Sequence, residues 1–98
     1  METFTLLIPS RIGEIDARIT LDRPEYAMPG AQGIPAYGIA FNSEAETIAE
    51  TDSTRYIDYC TWEIVYYEAH RLLNGRWGIE AEDIAAAVED ILPICDCD

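Results

Sequence analysis

The 98-residue chain contains no lysine. Its basic side chains are six arginines and one histidine, set against 19 acidic residues for a formal charge of −13. Direct binding to nucleic acid is disfavoured on this count, because phosphate contacts are made largely by Lys and Arg. Long hydrophobic runs are missing too. No stretch approaches the roughly 20 apolar residues of a membrane helix. The apolar segment at residues 2–8 has no basic flank and no small-residue cleavage site, so no signal peptide is read. Cysteine is sparse: Cys60, Cys95 and Cys97 are odd in number and lack paired spacing, a poor disulfide framework. A cytoplasmic protein is the expectation.

Catalytic signatures are also lacking. His70 is the only histidine and cannot form a site alone. Cys60, His70, Cys95 and Cys97 have the donor types of a metal site, but Cys95-Asp96-Cys97 matches no ligand spacing. Ser10, Ser43 and Ser53 lack nucleophile context. Gly30, Gly33 and Gly38 form no phosphate-binding fingerprint. No pair of acids suits general acid–base work. The expectation is a protein without catalytic, cofactor-binding or metal-binding residues, and not an enzyme.

What is present argues for a folded chain. Hydrophobic residues make up 49% and ten side chains are aromatic, enough for one domain over residues 1–98 with a modest core. Thr3–Pro9 is rich in β-formers and ends at proline, which predicts a strand. After a turn at Ser10–Gly13, Glu14–Asp22 alternates, with Ile15, Ala17, Ile19 and Leu21 on one face and Glu14, Asp16, Arg18 and Thr20 on the other. That period of two predicts a second strand in an antiparallel hairpin, one face packed and one wet. Arg23–Pro35 is a Pro/Gly-rich loop. Ala36–Asn42 is a third strand candidate in which Gly38 suggests a close approach or a bulge.

The second half reads as helical. Ser43 and Glu46 have capping-box spacing and predict a short helix over about 43–50. Thr51–Thr54 offers a further cluster of N-cap residues, and a long helix is expected over about 54–74, with Gly75 past its end. It carries Tyr59, Trp62 and Tyr66 on one face and Tyr56, Cys60 and Tyr67 on another, a pattern that fits core packing or a subunit interface in a possible homodimer. Residues 56–67 are β-prone by type, so a strand there is the alternative; capped ends and length favour helix. A third helix over about 80–92 places Ala81, Ile84, Ala85, Val88, Ile91 and Leu92 on one side. Its other side carries Glu82, Asp83, Glu89 and Asp90. The fold class expected is α+β: an antiparallel hairpin or three-stranded sheet (about 3–9, 14–22 and 36–42) packed on these helices. The tail Ile94–Asp98 is expected to fray.

The acid is segregated. Residues 77–98 hold seven acids and no base, residues 43–54 hold four and no base, and the remaining 64 residues hold eight acids with all six arginines. Glu82–Glu89 and Asp83–Asp90 repeat at i, i+7, roughly 10 Å apart along a helix. No i, i+4 base neutralises them. A solvated helix face is the ordinary explanation for such a stripe, and a salt-adapted host proteome is another explanation for the whole-chain charge. A basic partner accounts for both. The candidate partner-binding residues are Glu44, Glu46, Glu50 and Asp52 before the aromatic helix, and Glu80, Glu82, Asp83, Glu89 and Asp90 after it.

In size, in its charge of −13 and in acidic segments such as Glu80–Asp90, the chain resembles phage-type inhibitors of the anti-CRISPR and DNA-mimic class. The likeness is one of class and covers no specific motif. It implies an inhibitor whose carboxylates stand in for phosphates on a basic nucleic-acid-binding protein, such as a CRISPR effector complex. Two alternatives stand beside it. One is an immunity or antitoxin protein for a basic nuclease toxin. The other is a structural or assembly protein whose aromatic helix forms an oligomer interface.

Overall fold

A computed structural model describes residues 1–23, 33–56 and 60–93. Four strands come first: β1 (Glu2–Ser10), β2 (Gly13–Leu21), β3 (Gly33–Phe41) and β4 (Thr47–Tyr56). Two helices follow, α1 (Thr61–Leu73) and α2 (Ala81–Glu89). The strands form one antiparallel sheet in sequence order, β1-β2-β3-β4. Both helices lie on one face of it, α1 against β2, β3 and β4, and α2 against β1 and α1. The architecture is α+β, with one strand more than the sequence predicts.

The first hairpin follows from its residues. Arg11 and Ile12 form its two-residue loop, flanked by the Ser10↔Gly13 pair. Ser10 Oγ donates to the Gly13 carbonyl (2.6 Å) and accepts from Ile12 N–H (3.2 Å). Gly13 has φ +107°, a conformation that favours glycine. Alternation then sets the register. Leu6, Ile8, Ile15, Ala17, Ile19 and Leu21 are fully buried under the helices. A one-residue slip would turn them all to solvent. In β3, Ile34, Ala36 and Ala40 continue the inner face. Gly38 lies in the same row, where a Cβ would sit 3.1 Å from Ile19 Cδ1, 3.2 Å from Thr51 Cγ2 and 3.4 Å from Leu72 Cδ2. The close approach expected at Gly38 is therefore met by α1 and the neighbouring strands, and the bulge falls at Ala40/Phe41 instead.

The largest departure from the sequence expectation is β4. The helix expected over 43–50 is absent, and 47–56 forms a strand. Asn42, not Ser43, organises the turn: its Oδ1 accepts from the N–H groups of Glu44 (2.9 Å) and Glu46 (3.0 Å). Its Nδ2 donates to Glu46 Oε2 (3.2 Å), and Ala45 takes φ +62°. The Ser43/Glu46 spacing thus serves a hairpin turn built on an Asn side chain. The long helix expected from residue 54 begins at Thr61, with Cys60 as N-cap and no side-chain capping bond. Thr54–Tyr56 are spent pairing with β3, as the β-prone residue types allow. The helix ends where expected, with Gly75 at φ +75°.

In α2 the expected boundaries hold to within a turn. Glu80 and Asp83 form a capping box, Asp83 Oδ2 accepting from Glu80 N–H at 2.9 Å. Ile84 and Val88 are buried as the wheel predicts, Ala87 is buried as well, and Ile91 stays 42% exposed.

Cys60 is disulfide-bonded, a bond that the count and spacing of the cysteines do not predict. The other cysteines, Cys95 and Cys97, lie outside the described residues, as do the expected frayed tail, Tyr59 and most of the Arg23–Pro35 loop. Odd number and unpaired spacing make a poor disulfide framework, and they are compatible with a single bridge. No helix among the described residues is long and apolar enough to cross a membrane.

Candidate functional site

The acidic residues singled out in the sequence fall on opposite sides of the molecule. Alternation along β4 places Thr51, Ser53 and Arg55 toward α1, and Glu50, Asp52 and Thr54 on the sheet face away from the two helices. Glu82, Glu89 and Asp90 are exposed in the helical layer. Glu44 and Glu46 stand exposed at the β3–β4 turn. Glu80 and Asp83 are engaged in capping α2. The expected site is therefore not one surface: Glu50 and Asp52 lie on one side, and the outer face of α2 on the other.

Few of these charges are neutralised. Among the described residues the ion pairs are Arg18–Asp16 (3.3 Å) and Arg23–Glu2 (2.7 Å), and none involves a carboxylate of the candidate set. Arg23 also bonds the Thr61 hydroxyl, so it ties the end of β2 to the starts of β1 and α1.

The sheet face away from the two helices is more than an acidic strip. Register brings Tyr37 opposite Asp52 and Ile39 opposite Glu50, with Arg18 beside Ile39 and Thr20 beside Tyr37. These side chains line a shallow depression of about 490 Å³. A second depression of about 310 Å³ adjoins it across Arg18, lined by Leu7, Glu14, Asp16 and Phe41 among others. Tyr37 is 47% exposed and Leu7 55% exposed. Arg18 is held by Asp16 through Nε and Nη2, both at 3.3 Å, and its guanidinium lies 4.9 Å from the Phe41 ring centre. The alternation of β2 points Arg18 and Asp16 outward, and the alternation of β3, paired in register with β2, sets Tyr37, Ile39 and Phe41 on that same side. Which side the helices cover is a tertiary choice that the strand pattern alone does not state.

On the inner side, α1 is fastened to β4. Ser53 Oγ donates to Glu68 Oε2, and Arg71 Nη1 donates to the Asp52 carbonyl at 3.0 Å. Arg55 stacks over Tyr67, with 5.5 Å from Cζ to the ring centre. Glu68 is fully buried, and its Oε1 has no hydrogen-bond partner among the described residues. We read this as an architectural device that fixes α1 on the sheet and the register of β4. Ser53→Ala is expected to destabilise the fold by about 1–3 kcal/mol, because it strips a buried carboxylate of its bond. Combined with Glu68→Leu the cost should nearly vanish, since both partners are then apolar. Urea unfolding of the two variants checks this; equal losses in both would assign the cost to something other than the Ser53–Glu68 bond.

The aromatic helix is spent largely on the fold. Trp62 and Tyr66 stack at 5.2 Å and 9° and pack against the core, and Tyr66 meets His70 at 5.8 Å. Tyr67, at 43% exposure, is the most open of these α1 aromatics. No group of three or more His, Cys, Asp or Glu among the described residues is placed to hold a metal ion.

Compared with known proteins, the chain matches no family model, no curated protein and no solved structure.

Proposed function

We propose that the protein is a small acidic inhibitor that binds and blocks a basic nucleic-acid-binding protein, its carboxylates occupying the place of phosphates. A CRISPR effector complex is the target class that the sequence resemblance implies. The observation that carries this reading is the uncompensated charge. The chain has a formal charge of −13, and neither Glu50 and Asp52 nor Glu82, Glu89 and Asp90 are ion-paired among the described residues. So many like charges on a small chain oppose compaction through self-repulsion. Solubility alone is met with a net charge of magnitude about 2–8 in a small domain. A basic partner would turn the excess into fast, steered association.

The same physics would serve an immunity protein for a basic nuclease toxin, and the identity of the captured enzyme separates the two. An assembly role through the aromatic helix draws less support, because Trp62 and Tyr66 pack into their own core.

The test is capture from a host lysate at low salt, followed by affinity measurements on the partner that elutes as salt rises. Between 50 and 200 mM salt the affinity is expected to fall by at least about tenfold, as for an interface in which several charges face each other. The captured protein should lose nucleic-acid binding in proportion to occupancy. Affinity indifferent to salt would overturn the reading.

A further inference from the structure

We propose that the helix-free sheet face is the docking surface, and that its depression at Tyr37 receives an arginine side chain of the basic partner. This rests on the inhibitor reading above and names the surface that reading leaves open.

Three observations converge. No helix among the described residues covers this face, and it presents an exposed aromatic ring beside two carboxylates. Glu50 and Asp52 are two apart on one strand, so their side chains project on the same side about 7 Å apart. Neither side chain takes a hydrogen bond or an ion pair among the described residues. The third observation comes from how the chain treats its own arginines. Arg18 lies over Phe41, Arg55 over Tyr67 and Arg76 over Trp77. In the first of these a carboxylate, Asp16, completes the arrangement. Tyr37 has the same ingredients, an exposed ring with acids on the adjacent strand, but no cation over it among the described residues.

A guanidinium suits this site better than an ammonium. Its flat face stacks on Tyr37 while its N–H fork reaches Glu50 and Asp52. Ile39 and Thr20 give the side-chain stem an apolar and weakly polar floor. Arg18 is already engaged by Asp16 and Phe41, which limits its repulsion of an incoming cation. Arginine and tyrosine are also among the residue types enriched at the energetic centres of interfaces.

The experiment is an NMR titration of the ¹⁵N-labelled protein with a nona-arginine peptide and a nona-lysine peptide at 150 mM NaCl. Shifts centred on Tyr37, Ile39, Glu50 and Asp52 are expected, with tighter binding of the arginine peptide. The double variant Glu50→Gln/Asp52→Asn should bind the arginine peptide about tenfold more weakly, the effect of losing charge-assisted hydrogen bonds. Glu82→Gln/Glu89→Gln removes the same charge from α2 and should change binding much less. Absence of binding, shifts centred on α2, or equal weakening by both double variants would each overturn the proposal. The inhibitor reading fails separately: it falls if no basic partner is captured. If a partner is captured equally well by Glu50→Gln/Asp52→Asn, that reading stands and this surface does not.

Discussion

Leu72→Ala is expected to lower the unfolding free energy by about 2–5 kcal/mol. Leu72 is 1% exposed and sits where α1 crosses β3. The crossing is close because Gly38 has no side chain: Leu72 Cδ2 lies 3.4 Å from where a Cβ would stand, with Ile19 Cδ1 and Thr51 Cγ2 nearer still. A cavity there is bounded by sheet backbone on one side and by α1 on the other. α1 is itself held to β4 through Glu68 and Arg71. The surroundings cannot collapse freely, which places the cost toward the upper part of the range. Domains of this size have a total stability of roughly 5–15 kcal/mol, and each kcal/mol shifts the midpoint by about 4–8 °C. A midpoint lowered by ten degrees or more is therefore the expected calorimetric result, with the far-UV circular dichroism of the folded state unchanged at low temperature. A loss under about 1 kcal/mol would mean that α1 does not bear on β3 as described.

The same crossing shows which parts of the fold are legible in the sequence and why. β2 reveals itself because its two faces meet different media: every second residue is apolar and the others are polar or charged. α2 reveals itself by the same logic at a period near 3.6. β4 has no such contrast. Its inward residues Thr51, Ser53 and Arg55 are as polar as the outward Glu50, Asp52 and Thr54, because α1 meets them with Glu68, Tyr67 and Arg71 as well as with apolar side chains. A strand whose inner face is satisfied by hydrogen bonds and a cation–π contact carries no hydrophobic period. The local spacing Ser43/Glu46 then reads as a helix start. The C-terminal end of the long helix is legible because Gly75 marks the stop. Its start is not legible, because the Thr-rich stretch that reads as a cap is strand.

The candidate surface divides the same way. Acidic residues are visible in any sequence, so Glu50, Asp52, Glu82, Glu89 and Asp90 could be named at once. Their division between two sides of the molecule depends on β4 being a strand, and so does the placing of Tyr37 beside Asp52. A helix over 43–50 would have turned those acids toward a different neighbour. The surface role of Tyr37 is thus a consequence of tertiary pairing, which no single segment encodes.

Removing the Cys60 disulfide, by dithiothreitol or by Cys60→Ser, is expected to cost about 2–5 kcal/mol. Cys60 is the N-cap of α1, and it is half-buried with no side-chain capping bond to the helix. In the chain-entropy model such a bond stabilises chiefly by restricting the unfolded chain. For closed loops between about 15 and 100 residues the chain-entropy model gives roughly 3–4.7 kcal/mol. In a chain of this size with a modest core and strong self-repulsion, that is a large share of the total. The reduced wild type and Cys60→Ser should melt at the same temperature, well below the oxidised protein, and dithiothreitol should leave Cys60→Ser unaffected. Identical melting of oxidised and reduced wild type would mean that the bond adds nothing to the fold. The result bears on function, because disulfides persist in oxidising compartments and are rare where thiols are kept reduced. An inhibitor acting on a nucleic-acid enzyme in a reducing cytoplasm would have to fold without the bond. Partner affinity measured with and without reductant decides this directly. The sheet face carrying Tyr37, Glu50 and Asp52 lies on the side of the sheet away from α1 and Cys60, so its affinity should survive reduction wherever the fold does.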